Sequence, residues 1–206
     1  MFARTSTIHA QTSKIDSGIA YVNHTVMPAM SHIPGFVGLS VVTDRETGRC
    51  IATSAWRDEI AMRDSNDSAT PIRDAAAAAF GGLVEVEEWE VAVMHRAHHA
   101  RNGTCMRVTW SKTDPARADE LVEMFKFGTL AKIEDLPGFC SASLMLNDAG
   151  ERGVVSVAYD DRESLDLSRE AGAKIRGEVM EQTGTELLDV AEFDLAVAHL
   201  HIPEMV

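Results

Sequence analysis

The chain has 206 residues, with 19 Lys and Arg against 32 Asp and Glu, for a formal net charge of −13. That acidity argues against nucleic acid and anionic membrane surfaces as partners, since both require clustered cations. With 45% hydrophobic and 25% charged residues, the chain has ample material for a packed core. Cys50, Cys105 and Cys140 are odd in number and scattered, which fits free thiols and neither a disulfide framework nor a zinc knuckle. No apolar leader opens the sequence and no segment reaches bilayer-spanning length, so a cytoplasmic protein without a membrane partner is expected.

Residues 4–9 read as a first strand and 12–32 as an amphipathic helix. Ser13 is placed to cap that helix, and Ile15, Ile19, Val22, Val26 and Met30 recur at helical spacing, with Pro28 set to kink its end. Pro34-Gly35 stops the helix. Residues 36–43 and 50–57 then form a hairpin across the polar loop 44–48. Asp58 caps a short helix over 59–65, the stretch 65–68 interrupts, and Pro71 opens an alanine-rich helix over 72–80 that ends at Gly81-Gly82. A strand over 83–95 closes the unit. After a polar connector the order repeats: a strand at 104–112, a helix at 114–134, a hairpin from 139–146 and 152–159, a helical region at 161–183 capped by Asp161, and a last strand at 187–201.

The repetition is visible residue by residue. Pro34, Gly35, Phe36, Ser40, Arg49, Ala55, Asp58 and Ser65 meet identical residues at Pro137, Gly138, Phe139, Ser143, Arg152, Ala158, Asp161 and Ser168 with no gap. Trp56 aligns with Tyr159 and Met62 with Leu165. After a one-residue insertion, Phe193 aligns with Trp89 and His199 with His95. Each half is a β-α-β-β-α-β unit. The expected fold class is therefore α+β, with two tandem ferredoxin-like units at 1–97 and 104–206 joined by a connector at 98–103. A four-stranded sheet with helices on one face needs a partner for the other. The second copy supplies it, giving a pseudo-symmetric dimeric α/β barrel.

A strand-helix opening, Pro34-Gly35-Phe36 before a hairpin, the Trp56-Arg57-Asp58-Glu59 turn into the second helix and a closing strand resemble the antibiotic-biosynthesis monooxygenase-like dimeric α/β-barrel superfamily. The resemblance covers nearly the whole chain, once per half. Most members are single-unit chains that dimerise, so it implies a fused, monomeric pseudo-dimer, or a homodimer of such barrels. It further implies a cofactor-independent monooxygenase acting on an aromatic or quinol-type small molecule. The deprotonated substrate would reduce oxygen itself while the protein supplies a pocket, a proton acceptor and hydrogen bonds. The haem-degrading branch carries an axial histidine on the second helix and an asparagine on the first strand. Residues 72–80 and 174–183 contain no histidine and 4–9 no asparagine, so neither haem degradation nor any bound cofactor is expected. The alternative is a non-enzymatic small-molecule or haem-binding protein, or a stress-response protein, on the same fold.

The resemblance sets Trp56 beside the pocket at the end of the third strand, with Tyr159 in the same place in the second half. Both residue types also suit a packed core. Ala52 and Ser54 share Trp56's face and are small where Val155 and Val157 are bulky, so the working pocket is expected in the first half. Phe36 joins Ala52, Ser54 and Tyr159 as a ligand-binding candidate. His9 and His24 join Trp56 as catalytic candidates, because an imidazole is the natural proton acceptor near neutral pH. His95, His98, His99, His199 and His201 read as polar strand ends and no metal site is expected, since a metal needs three or four converging donors. Arg73 and Arg176 align, which suggests one shared structural role such as pairing with an acidic strand residue. A buried acid–base group beside the pocket would separate an enzyme from a binding protein.

Overall fold

A computed structural model describes residues 1–200. Its strands are β1 (Phe2–His9), β2 (Phe36–Thr43), β3 (Arg49–Trp56), β4 (Val84–Arg96), β5 (Cys105–Lys112), β6 (Phe139–Leu146), β7 (Arg152–Tyr159) and β8 (Glu186–Leu200). Hydrogen bonding runs in the order β1-β3-β2-β8-β5-β7-β6-β4 and closes into a barrel, so one fused chain supplies all eight strands of this α+β fold. Two compact units result. One holds Met1–Trp89 with the end of β8 from Leu195 on, and the other holds Glu90–Asp194. The units follow strand pairing and not chain order: residues 90–96 of β4 pair with β6, and residues 186–194 of β8 pair with β5.

In the first unit β3 lies antiparallel to β1 and to β2, with Arg4 opposite Ser54 and both Phe2 and Phe36 opposite Trp56. In the second, β7 lies between β5 and β6, with Arg107 opposite Val157 and both Cys105 and Phe139 opposite Tyr159. The edge bulge repeats as well, between Phe36 and Gly38 and between Phe139 and Ser141. Helices α1 (Ile15–Tyr21), α2 (Met27–Met30), α3 (Glu59–Asp64) and α4 (Asn66–Phe80) belong to the first unit. Their apolar faces bury Ile15, Val22, Met62 and Phe80 against Ile8, Leu39, Val41 and Trp56. Helices α5 (Ala118–Met124), α6 (Leu130–Glu134), α7 (Arg162–Leu167) and α8 (Arg169–Thr183) do the same in the second. There Leu121, Phe125 and Leu165 pack on Val93, Leu144 and Tyr159.

The segment 12–32 is not one regular helix. A 3₁₀ turn at Thr12–Lys14 precedes α1, and a π-helical turn at Val22–Val26 separates α1 from α2. Ser13 does not cap it; Gln11 holds that position without a side-chain bond. Pro28 is not the cause of the π turn, because the second unit has the same turn at Phe125–Thr129 with no proline in it. Pro71 likewise lies inside α4, which begins at Asn66. The 65–68 stretch is the start of this helix. Ser65 turns its hydroxyl back onto the Met62 carbonyl at 2.6 Å, so the chain passes from α3 into α4 with one residue between them. Asp58 and Asp161 cap as expected, accepting from the Ala61 and Ser164 amides at 2.7 and 2.8 Å.

Candidate active-site cavities

Each unit is organised on a buried arginine of its first strand. Arg4 on β1 donates to the Ser65 hydroxyl at 3.0 Å, to the Met62 carbonyl at 2.7 Å and to Glu88 on β4 at 2.8 Å. Arg107 on β5 repeats this on Ser168 at 3.0 Å, the Leu165 carbonyl at 2.8 Å and Glu192 on β8 at 2.9 Å. The guanidinium carbons lie 5.8 Å from the ring centre of Trp56 and 5.6 Å from that of Tyr159, within cation–π range. Burial pushes the Glu192 carboxyl up, but hydrogen bonds from Arg169 and Arg107 outweigh it and hold the group below its ordinary value. The pairing of an arginine with an acidic strand residue, expected of Arg73 and Arg176, is thus made by Arg4 and Arg107. The sequence held a signal for it: Arg4 and Arg107 align when the repeat is extended to the first strands, and their partners Ser65 and Ser168 are among its identical pairs.

A cavity lies between sheet and helices in each unit. In the second it has about 740 Å³ of empty space including its open mouth, with Leu121, Phe125, Ile133, Leu144, Val155 and Val179 in an apolar wall and Arg107, Tyr159 and Arg176 as its ionisable residues. The first-unit cavity has about 530 Å³ and includes Arg4, Ala52, Ser54, Arg73 and Phe80. The larger cavity is in the half with the bulkier strand residues. In the first half Phe80 stands in the cavity wall, its ring fully buried and packed over Gly18, where an added Cβ would lie 2.5 Å from it. At the aligned positions of the second half Thr183 replaces Phe80 and Leu121 replaces Gly18, so a ring on one helix is exchanged for a branched side chain on the other, and Gly172 in place of Ala69 removes a methyl from the wall. Both π turns contribute: Val22 and Val26 to one cavity, Phe125 and Thr129 to the other. Wide turns of this kind recur at functional sites because they re-aim side chains inside a helix.

Among the sequence-predicted residues, Ala52 and Ser54 line the first cavity and Tyr159 the second. Trp56 is fully buried, donates Nε1–H to the Ser54 hydroxyl at 3.1 Å and stands edge-on to Phe36, with 5.7 Å between ring centres. Trp56 and Phe36 are in neither cavity wall. His9 and His24 are exposed, as are His32, His99 and His199. His95 reaches Glu134, and His98 lies 3.4 Å from Asp160. His201 lies outside the described residues. Among the described residues, no three His, Cys, Asp or Glu side chains group as a metal site. Among the described residues, neither cavity wall contains a histidine, a cysteine or a carboxylate. The walls therefore do not fit haem held by histidine or thiolate.

The strand order and the four helices per repeat define an α+β barrel, a fold similar to that of proteins related to antibiotic biosynthesis monooxygenases. An anthrone oxidase-like protein superposes with a TM-score of 0.66 at 12% identity, over 99% of this chain and 93% of its own. A ferredoxin-fold protein of Listeria monocytogenes related to antibiotic biosynthesis monooxygenases gives 0.55 at 8% identity, over 95% and 94%. The haem-degrading enzyme of Listeria monocytogenes gives 0.53 at 8%, over 94% and 99%. These likenesses show the fold. No protein-family model matches the chain. By sequence it belongs to the family of two uncharacterized Mycobacterium tuberculosis proteins, Rv2557 and Rv2558 of strain H37Rv. Each is 44% identical over the full length of this chain, which covers 92% and 88% of their lengths. No helix among the described residues is long and apolar enough to cross a membrane.

Proposed function

We propose that the chain is a monooxygenase-like protein whose second-unit cavity takes an aromatic or quinol-type small molecule. One observation carries this reading: in the second unit an apolar wall that includes Leu121, Phe125, Leu144 and Val155 surrounds a few polar groups, Arg107, Arg176 and Tyr159 among them. The sequence pointed instead to the first half. The anthrone oxidase-like neighbour supports the substrate class. In such a reaction the substrate's ring CH₂ loses two hydrogens and gains one oxygen atom, while the second atom of O₂ leaves as water. The ring carbanion or phenolate supplies the electrons. The protein's part is to hold the rings, exclude bulk water and favour the anion, for which Arg107, Arg176 and the Tyr159 hydroxyl are the groups in the wall.

A second reading, binding without turnover, is favoured by the walls themselves: among the described residues neither offers a histidine or a carboxylate as proton acceptor. Oxygen uptake with 9-anthrone as probe separates the two. The expected result is protein-dependent uptake that is abolished by Val157→Phe in the second cavity and survives Ser54→Phe in the first. Anthrone binding seen by fluorescence with no uptake would establish the second reading. Absence of binding would remove both.

A further inference from the structure

Each unit places a second arginine in its cavity wall, Arg73 on α4 and Arg176 on α8. The two arginines are aligned, but their surroundings are not. Arg73 donates to the Thr70 hydroxyl at 3.0 Å, though its Nε is buried without a hydrogen-bond partner among the described residues. Burial and the like charge of Arg4 lower its pKa, and the carboxylates of Asp74 and Glu88 oppose them. At the aligned positions of the second unit Thr70 becomes Ala173 and Asp74 becomes Gly177. Arg176 consequently has no hydrogen-bond or ion-pair partner among the described residues. Burial lowers its pKa and the like charge of Arg107 lowers it further; Tyr159 alone opposes them. Arg107 is itself matched by Glu192 at 2.9 Å. Among the described residues, the second cavity therefore has one guanidinium without a counter-charge, in a mostly apolar wall. A half-buried cation without a counter-charge is unfavourable until an anion meets it, and a guanidinium's fork matches a carboxylate in two parallel hydrogen bonds.

We infer that the second-unit cavity binds a monoanionic aromatic acid, with its carboxylate on Arg176 and its rings against the apolar wall that includes Phe125, Leu144 and Val155. This rests on the reading of that cavity as a small-molecule site and adds the charge of the ligand. One free cation selects one negative charge, and the apolar wall suits an aromatic ring system. The first unit is less selective, because Arg73 has the Thr70 hydroxyl as a partner and the charges of Asp74 and Glu88 oppose the loss of its own.

The test uses two probes of nearly the same shape, 2-naphthoate and neutral 2-naphthalenemethanol, titrated calorimetrically into the full chain. Wild-type protein is expected to prefer the acid at least ~10-fold, the scale of a charge-assisted hydrogen bond. Arg176→Gln is expected to bring the two affinities together, and Arg176→Lys to keep part of the preference. Arg73→Gln is expected to leave it unchanged. A variant that does not depend on losing the arginine is Ala173→Thr with Gly177→Asp, which rebuilds the first unit's compensation around Arg176. Both sites are exposed, and a Cβ at Gly177 meets nothing within 4 Å, so the fold should tolerate it. It is expected to weaken 2-naphthoate and leave the alcohol unaffected. Equal binding of the probes by the wild type, or a preference that survives both Arg176→Gln and the double substitution, would overturn the charge assignment and leave the small-molecule site standing. Failure of the wild type to bind either probe would overturn both.

Discussion

Arg107 and Ser168, 61 residues apart in the chain, meet in a buried 3.0 Å hydrogen bond, and Arg4 and Ser65 meet at the same separation and the same distance. In both units the arginine ties the first strand to the junction of two helices and to the last strand. Removing it takes the arginine from the serine hydroxyl and from the carboxylate, while the carbonyl keeps the serine hydroxyl, at 2.6 Å in one unit and 2.7 Å in the other. Glu192 also keeps Arg169 at 2.8 Å, whereas among the described residues Glu88 has no second arginine on it. Arg107→Met and Arg4→Met are each expected to cost about 2 to 3 kcal/mol in urea denaturation, because Glu192 is the less exposed carboxylate, 22% against 39%, but is the one that stays paired. A much larger loss at Arg107 would mean that burial of the carboxylate, and not its remaining partner, sets the cost.

Phe80 occupies its space only because residue 18 is glycine. Gly18→Ala would put a methyl 2.5 Å from the ring in a packed core. Overpacking of this kind costs about 2 kcal/mol. Adding Phe80→Leu should recover a good part of that loss, and the coupling is readable as a double-mutant cycle on thermal unfolding. Strict additivity of the two substitutions would show that the helix carrying residue 18 moves away, with the ring left in place.

The repeat made the fold legible. Aligned Pro-Gly-Phe turns, Asp caps and alternating strands each act locally, so spacing alone exposes them, and β8 and β4 follow from the same count. The cavities were less legible because their volume depends on which side chains meet across the unit. Small Ala52 and Ser54 suggested an open first half, yet Phe80 reaches in from α4 to the same cavity wall, bringing together residues far apart in sequence. Arg4 and Arg107 carried a sequence signal in their alignment, but a lone arginine on a strand gives no hint that it is buried until its partners are located. The π turns had no sequence mark: Val22–Val26 reads as regular helix, and a wide turn differs from one only in its hydrogen bonds.

Burial pushes the thiols of Cys50 and Cys105 up to about 11, and raises that of Cys140 as well. All three are free and buried. The thiolate is the reactive form, so each should resist alkylation by two routes, low ionisation and poor access. Iodoacetamide at pH 8 is expected to leave the native chain unlabelled by mass spectrometry and to add three groups once urea is present. Rapid modification of one cysteine in the native state would mark local opening around it.

The two helix caps give the chain a defined acid sensitivity. The Ala61 amide, with help from Arg57, holds the Asp58 carboxyl below its ordinary value of 3.8, and the amide and hydroxyl of Ser164 do the same for Asp161. A carboxyl whose folded pKa lies below its unfolded one binds protons more weakly in the native state. Its stabilisation is complete above the unfolded value and disappears as pH falls through the folded one. Asp58→Ala and Asp161→Ala should therefore each lower the melting temperature at pH 7. The gap from wild type should stay constant down to about pH 5 and narrow progressively below the ordinary carboxylate value. Melting followed by circular dichroism across that range checks it. A gap undiminished at pH 2.5 would show that the protonated carboxyl caps as well as the carboxylate does, and that the charge contributes nothing.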